Sequence, residues 1–256
     1  MIKLQAINLK CGYENKTVIE SASLTAEPGE FITLLGPNGS GKSTLLKTMA
    51  GVLKRQGGSV ILGEKDLKEY KPQQKARLIS NLPQNPKAPA DVTVEQLVSY
   101  GRTPYTGIFQ KDIESAAIRE WAMAETGVLK FKDRLLKTLS GGERQRVWIS
   151  MCLCQKTKII LLDEPTTSLD IKHQEEVLKT LEKLKKEHGI TVMCVLHDIN
   201  HAIKYSDRVA MLKKGKILYS GHPEEVITEE SIMDVFGVEG NLTEIPGKKR
   251  KYFIPD

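Results

Sequence analysis

The segment Gly36-Pro37-Asn38-Gly39-Ser40-Gly41-Lys42-Ser43 sets three glycines, a lysine and a hydroxyl in the spacing G-x-x-x-x-G-K-[ST]. Glycines so placed let backbone N–H groups close around an anion, and a helix that follows points its positive N-terminal end at the same spot. Lys42 can reach the outer phosphates of a nucleotide, and the Ser43 hydroxyl, with Thr44 beside it, can ligate Mg²⁺. A glycine-rich turn with no ligand is the plain alternative. The apolar run Phe31 to Leu35 before it and the helical pattern Leu45 to Ala50 after it argue for the phosphate loop.

Two further constellations belong with it. Ile159-Ile160-Leu161-Leu162-Asp163-Glu164 is an apolar strand ending in two carboxylates, at the edge where a parallel sheet delivers its chemistry. Asp163 suits a Mg²⁺ shell, and Glu164 can polarise an attacking water. Leu139-Ser140-Gly141-Gly142-Glu143-Arg144-Gln145 reads locally as a capping box, Ser140 capping a helix with Glu143 at its third position. A capping box does not require two glycines in a row. Gly141 and Gly142 are expected to leave the helix N-terminus bare enough for a phosphate to approach.

With these motifs the chain resembles the nucleotide-binding subunits of ABC transporters over nearly its whole length. The resemblance implies an ATPase with a P-loop (RecA-like) core, in which two copies clasp two ATP molecules head to tail and the Ser140-Gly141-Gly142 segment of one copy meets the γ-phosphate held by the other. By the same resemblance Tyr13 would stack on adenine. Gln84 in Leu-Pro-Gln would link metal and water to the transport partner, Asp163 would hold the metal, and Glu164 would be the general base. Asp170 in Ser-Leu-Asp would reach across the dimer, and His197 in Val-Leu-His-Asp would hold the γ-phosphate. Tyr13 as a packed aromatic, Gln84 as a loop residue and His197 as a satisfied core histidine are the competing readings. His173, His188, His201 and His222 show no ligand spacing and are placed on the surface.

The elements that must carry these groups follow from pattern. Ile2 to Leu9, Ala22 to Ala26, Ser59 to Gly63 and Leu78 to Ser80 read as strands, and the prolines at 83, 86 and 89 mark a boundary. Beyond it the pattern turns helical, with a Thr93/Gln96 capping box opening Val94 to Tyr100 and an Ala- and Glu-rich stretch from Asp112 to Glu125 stopped by Gly127. Ile159 to Leu162, a helix from about His173 to His188 and Thr191 to Leu196 form a parallel βαβ unit. Arg208 to Leu212 and Lys216 to Tyr219 flank a hairpin, and Thr228 to Phe236 is a short helix. The fold expected is α/β, a P-loop core with a mostly parallel sheet, an N-terminal antiparallel β subdomain and an inserted α-helical subdomain. The core is assigned to 1–86 and 156–256, the insert to 87–155, and a basic tail to 248–256.

Composition bounds the rest. The 256 residues are 40% hydrophobic and 27% charged, enough to bury a core, and this excludes a disordered chain or a small disulfide scaffold. The longest apolar stretch, near Ile190 to Leu196, is far short of the roughly 20 residues that cross a bilayer. The start of the sequence carries no secretory pattern, so export is not expected. Cys11, Cys152, Cys154 and Cys194 form no C-x-x-C pair and read as small buried hydrophobes. Of the net charge of +6, four charges lie at Lys248, Lys249, Arg250 and Lys251, as a solvated tail would carry them.

The expected function is the ATPase of an importer, at the cytoplasmic face of the membrane, bound peripherally to two integral-membrane permease subunits fed by an extracytoplasmic substrate-binding protein. The stretch Gln74 to Gln84 and the segment Thr93 to Tyr105 with its Arg102-x-Pro104 are similar to ATPase subunits that import ferric siderophores, haem or cobalamin. Importers of zinc, manganese or phosphate share every catalytic motif and are the runner-up. A soluble ABC ATPase acting on nucleic acid is the reading of another class. It lacks a coiled coil or a second cassette here, so no nucleic-acid partner is expected. A phosphoryl-transfer kinase would need an acceptor site, and the sequence shows none.

Overall fold

Leu4 and Ala6, then Leu9 and Cys11, are buried two residues apart on either side of an irregularity at Ile7–Asn8, so one face of a sheet is buried. The computed structural model describes residues 2–14, 16–106, 114–244, 247 and 250–256, which fall into two compact units, Met1–Glu69 with Thr191–Asp256, and Tyr70–Ile190. The sequence-based boundaries at 86 and 155 divide the chain by type of secondary structure, a separate criterion.

The first unit begins with β1 (Leu4–Tyr13) and β2 (Lys16–Ala26), continues through β3 (Phe31–Leu35) and α1 (Lys42–Met49), and adds β4 (Gly57–Leu62) and β5 (Lys65–Asp66). Antiparallel pairing orders four of these as β2-β1-β4-β5, with Leu4 opposite both Ala26 and Leu62. The first half of β2 escapes the sequence pattern because Lys16, Glu20 and Ser21 face solvent there. Arg55 donates to both carboxylate oxygens of Asp66 at 2.8 and 2.9 Å, which holds the Asp66 carboxyl below the usual range and ties the segment before β4 to β5.

The second unit holds α2 (Pro72–Ala76), β6 (Ile79–Leu82), α3 (Val94–Ser99), α4 (Ser115–Glu125), α5 (Gly141–Cys154), β7 (Ile159–Leu162) and α6 (Ile171–His188). Thr93 and Gln96 close the expected capping box on α3. The Asp112 end of the helix read from sequence lies outside the described residues, and α4 is described from Ser115. Strands β6 and β7 run parallel, Ile79 opposite Ile159 and Leu82 opposite Leu162. Helix α6 buries Val177, Leu178, Leu181 and Leu184, and Lys186 pairs with Glu182 at 2.7 Å on its outer face.

The chain then returns to the first unit with β8 (Thr191–Val195), α7 (Ile199–Tyr205), β9 (Arg208–Lys213), β10 (Lys216–Gly221), α8 (Pro223–Val226), α9 (Glu229–Phe236), β11 (Gly240–Thr243) and β12 (Tyr252–Pro255). Strand β3 lies between β8 and β9, parallel to both, and β10 folds back antiparallel on β9. All five residues of β3 and of β8 are buried, as strands covered on both faces must be. Arg208 donates to Glu30 at 2.8 Å, and Asp207 accepts the Phe31 N–H at the same distance, which fixes the register of β3. The chain thus adopts the expected α/β class, mostly parallel where strands cross over, with an antiparallel sheet at its N-terminal end.

Two expectations change. The C-terminal segment is not a solvated tail: β12 pairs with β11, Phe253 is buried, and Arg250 donates to the carbonyls of Ile203 and Ser206 at the end of α7. Lys248 and Lys249 lie outside the described residues. His173, His188 and His201 are half-buried, and His222 alone of the four is exposed. His188 stands edge-on to Trp121 at 5.2 Å and 3.2 Å from Glu125. Glu125, Glu187 and His188 converge, but the Lys183 ammonium, 2.9 Å from Glu125 and 3.7 Å from Glu187, is the cation the two carboxylates share; Lys183 first and His188 after it keep the Glu125 carboxyl low.

All four cysteines are buried and none is in a disulfide, and burial pushes the Cys152 and Cys194 thiols up to about 12. Arg102 has a packing role. It is buried, donates to the Cys154 carbonyl at 2.9 Å at the end of α5, and lies 3.9 Å from the Tyr105 ring centre, whose hydroxyl donates to Gln155 O at 3.0 Å. Arg102→Ala is expected to cost about 2–4 kcal/mol through the lost bond and contact. Calorimetry would then read a melting temperature lower by roughly 4–16 °C.

Candidate active site

The first unit supplies a phosphate loop. It leaves the end of β3 at Gly36, whose φ of 144° only glycine adopts freely; a Cβ there would sit 2.1 Å from the Leu212 carbonyl oxygen of β9. Ser40 O accepts from Gly215 N at 3.0 Å, so the β9–β10 turn also braces the loop. Gly41 is the N-cap of α1, and being glycine it supplies no side-chain cap to that helix end.

Lys42 is buried, its Nζ donating to Gly36 O at 2.7 Å and Pro37 O at 2.9 Å, which curls the ammonium back over the loop. Ser40 and Thr44 are buried, Ser43 is half-buried, and Asn38 and Gly39 are exposed. The Ser40 hydroxyl oxygen is buried with no hydrogen-bond partner, although buried polar atoms rarely go unsatisfied. An unspent hydroxyl, a buried ammonium and a bare helix N-terminus fit a polyphosphate.

In the same unit Tyr13 ends β1 and is 46% exposed, so its ring is not core packing. His197 follows β8 and is exposed, which removes the reading as a core histidine.

The second unit carries the carboxylates. Strand β7 delivers Asp163, 3% exposed, and holds its N–H on Leu82 O at 2.9 Å. The backbone then turns left-handed at Glu164, φ 53°, a strained value for a long side chain. Glu164 Oε2 accepts from Gln84 Nε2 at 2.5 Å and from Thr167 Oγ1 at 2.9 Å. Gln84 is thus brought to Glu164 from the loop after β6, far away in sequence. Carboxylate, hydroxyl and amide oxygens such as those of Asp163, Ser43 and Gln84 are the hard donors that Mg²⁺ takes.

Ser140 caps α5 as read from sequence: its hydroxyl accepts from Glu143 N at 3.3 Å and Glu143 Oε2 accepts from Ser140 N at 2.8 Å. That bond holds the Glu143 carboxyl below its usual range. The two glycines differ. Gly141 is half-buried, whereas Gly142 is buried under the His173 ring. Asp170 is exposed and caps α6, accepting the His173 N–H at 2.9 Å, while its second oxygen lies 2.8 Å from His173 Nδ1. His173 is the group that sequence reading passed over; its signal was the Asp-x-x-His spacing at a helix start.

A strand, a glycine loop closed on a buried lysine and a helix, together with a strand ending in Asp-Glu, define the P-loop nucleotide-binding class. A family profile described as ABC transporter matches residues 19–167. The chain is 41% identical to the iron(3+)-hydroxamate import ATP-binding protein FhuC of Bacillus subtilis (strain 168) over 96% of its length and 92% of that protein's. It is 40% identical to the ferric enterobactin transport ATP-binding protein FepC of Escherichia coli (strain K12), over 99% and 94%. Among solved structures, a chain of an inward-facing transporter described as metal-chelate type aligns with a TM-score of 0.86 at 25% identity, covering 100% of this chain and 98% of that one. This chain belongs to the ABC transporter ATP-binding family, whose members bind ATP and hydrolyse it to drive transport. No helix among the described residues is long and apolar enough to cross a membrane.

The loop geometry separates two glycine substitutions. Gly36→Ala drives a methyl group into the Leu212 backbone, and should lower the melting temperature by roughly 5 °C or more and weaken ATP binding at least ~10-fold. Gly39 faces open space at φ 76°, a region asparagine tolerates. Gly39→Asn should shift the melting temperature by less than ~2 °C. Calorimetry and nucleotide titration of both variants check the pair.

Proposed function

We propose that this chain is the ATP-hydrolysing subunit of an importer of iron chelates, ferric siderophores or haem, with cobalamin in the same class of bulky metal chelates. The observation that carries the reading is near-full-length similarity, at 39–41% identity, to import or transport ATP-binding proteins named for iron(3+)-hydroxamate, enterobactin and haemin. Two copies pair head to tail around ATP at the cytoplasmic face of the membrane, under two permease subunits that receive cargo from an extracytoplasmic binding protein. Residues 1–86 and 156–256 act as the nucleotide-binding core, and 87–155 as the insert that transmits motion to the permease.

In this mechanism the backbone N–H groups of residues 36–44 and the Lys42 ammonium bind the phosphates, and Tyr13 stacks on adenine. Ser43, Asp163 and Gln84 hold Mg²⁺, which when bound offsets phosphate charge. Glu164, steadied by Gln84 and Thr167, takes the proton from the attacking water as the γ-phosphoryl group passes to that water's oxygen, leaving ADP and phosphate. His197 holds the γ-phosphate, and Ser140, Gly141 and Gly142 of the partner copy contact it, with Asp170 reaching across. Closure buries the γ-phosphate between two chains, and hydrolysis removes that bridge.

Glu164→Gln should keep ATP binding and cut turnover by at least ~100-fold. Near-normal steady-state hydrolysis by that variant rules out Glu164 as the base. Sedimentation of the same variant with ATP and Mg²⁺ should show a two-chain species that ADP does not give. For the cargo, a strain lacking this chain should lose labelled ferric-siderophore or haem uptake while zinc, manganese and phosphate uptake stay unchanged. The opposite pattern, or ATPase stimulation by duplex DNA or RNA that fades with salt, overturns the assignment.

A further inference from the structure

We propose that His173 is a positioning residue that locks the Ser140–Gly142 turn to Asp170, so that the two segments expected to meet the partner copy move as one piece. The proposal rests on the paired-copy reading above. Its warrant begins with the two glycines. A Cβ at Gly142 would lie 2.3 Å from His173 Cδ2, 2.5 Å from its Cγ and 2.6 Å from its Cβ, whereas at Gly141 the nearest atom is Leu169 Cδ2 at 3.2 Å. The Cβ of His173 is set by the backbone of α6, so no change of rotamer takes it out of the way. A side chain at 142 would therefore overlap a ring of the same chain, whereas one at 141 would meet only the far end of the Leu169 side chain.

The ring's other edge is equally committed. Nδ1 lies 2.8 Å from Asp170 Oδ2, and Asp170 Oδ1 accepts the His173 N–H at 2.9 Å. A carboxylate only accepts, so Nδ1 carries the hydrogen. These bonds hold the Asp170 carboxyl below its usual range. Gln174 Nε2 donates to Leu169 O at 3.0 Å, fastening the backbone just before Asp170. One turn further along both helices Arg146 pairs with Glu176, which fixes the register of α5 against α6. Displacing Asp170 drags the imidazole, and the imidazole abuts the Gly142 backbone.

The test uses the full-length chain. In a Glu164→Gln background, His173→Ala should weaken ATP-driven association of two copies roughly 10-fold while ATP affinity of the single copy changes less than ~2-fold. His173→Asn, whose amide can donate from the Nδ1 position, should recover association to within ~3-fold of the parent. Melting temperatures supply a cycle that needs no dimer: the loss caused by Gly142→Ala should shrink to about half or less when His173 is already alanine. Association of His173→Ala equal to the parent, an Asn variant no better than Ala, or a Gly142→Ala loss of the same size in both backgrounds overturns the proposal. If the Glu164→Gln parent itself never associates, the paired-copy reading fails and this proposal with it. That outcome is distinct from a loss confined to His173→Ala.

Discussion

Holding a polyphosphate with backbone amides requires chain that can approach the anion without Cβ atoms in the way and that does not collapse when the anion leaves. The loop after β3 meets both demands through contacts made by other segments. Gly36 sits against Leu212 O, Ser40 O takes the Gly215 N–H, and Lys42 folds onto the Gly36 and Pro37 carbonyls. The β9–β10 hairpin, distant in sequence, is therefore as much part of the phosphate site as the glycines. A loop already braced spends little binding energy on ordering itself. The fully buried β3, held in register by Arg208–Glu30 and Asp207, gives that loop a fixed origin.

The second unit solves a different problem, keeping two adjacent carboxylates in separate roles. Asp163 is buried at the end of β7 while Glu164, one residue on, adopts a left-handed backbone and is held by Gln84 and Thr167. The strain at Glu164 is tolerated because neighbours on two sides fix it, as is common at functional positions. The N-terminus of α5 is a third device. Its capping box satisfies Ser140 and Glu143 internally and leaves the N–H groups of Gly141 and Gly142, in the first turn, without an acceptor inside the helix.

Much of this was legible in one dimension because the signals are local. Glycine and lysine at loop spacing, an apolar strand ending in Asp-Glu, and capping boxes at Thr93 and Ser140 each depend on neighbours within a turn of helix or a single strand. The histidines misled for the opposite reason: their surroundings come from far along the chain, Trp121 and Glu125 for His188, and Gly142 for His173. Arg250 likewise reads as one more tail cation, and only the fold shows that α7 offers it two carbonyls.

The sequence alone determined the class of chemistry and the elements that carry it, because phosphate loops, caps and strand periodicity are written in short-range spacing. Tertiary structure decided which of two consecutive glycines lies under a ring of the same chain, what a side chain at Gly36 would strike, and that Gln84 reaches Glu164. Each of these depends on an atom brought near by packing, and distance in space between residues far apart in the chain is what a linear pattern does not encode.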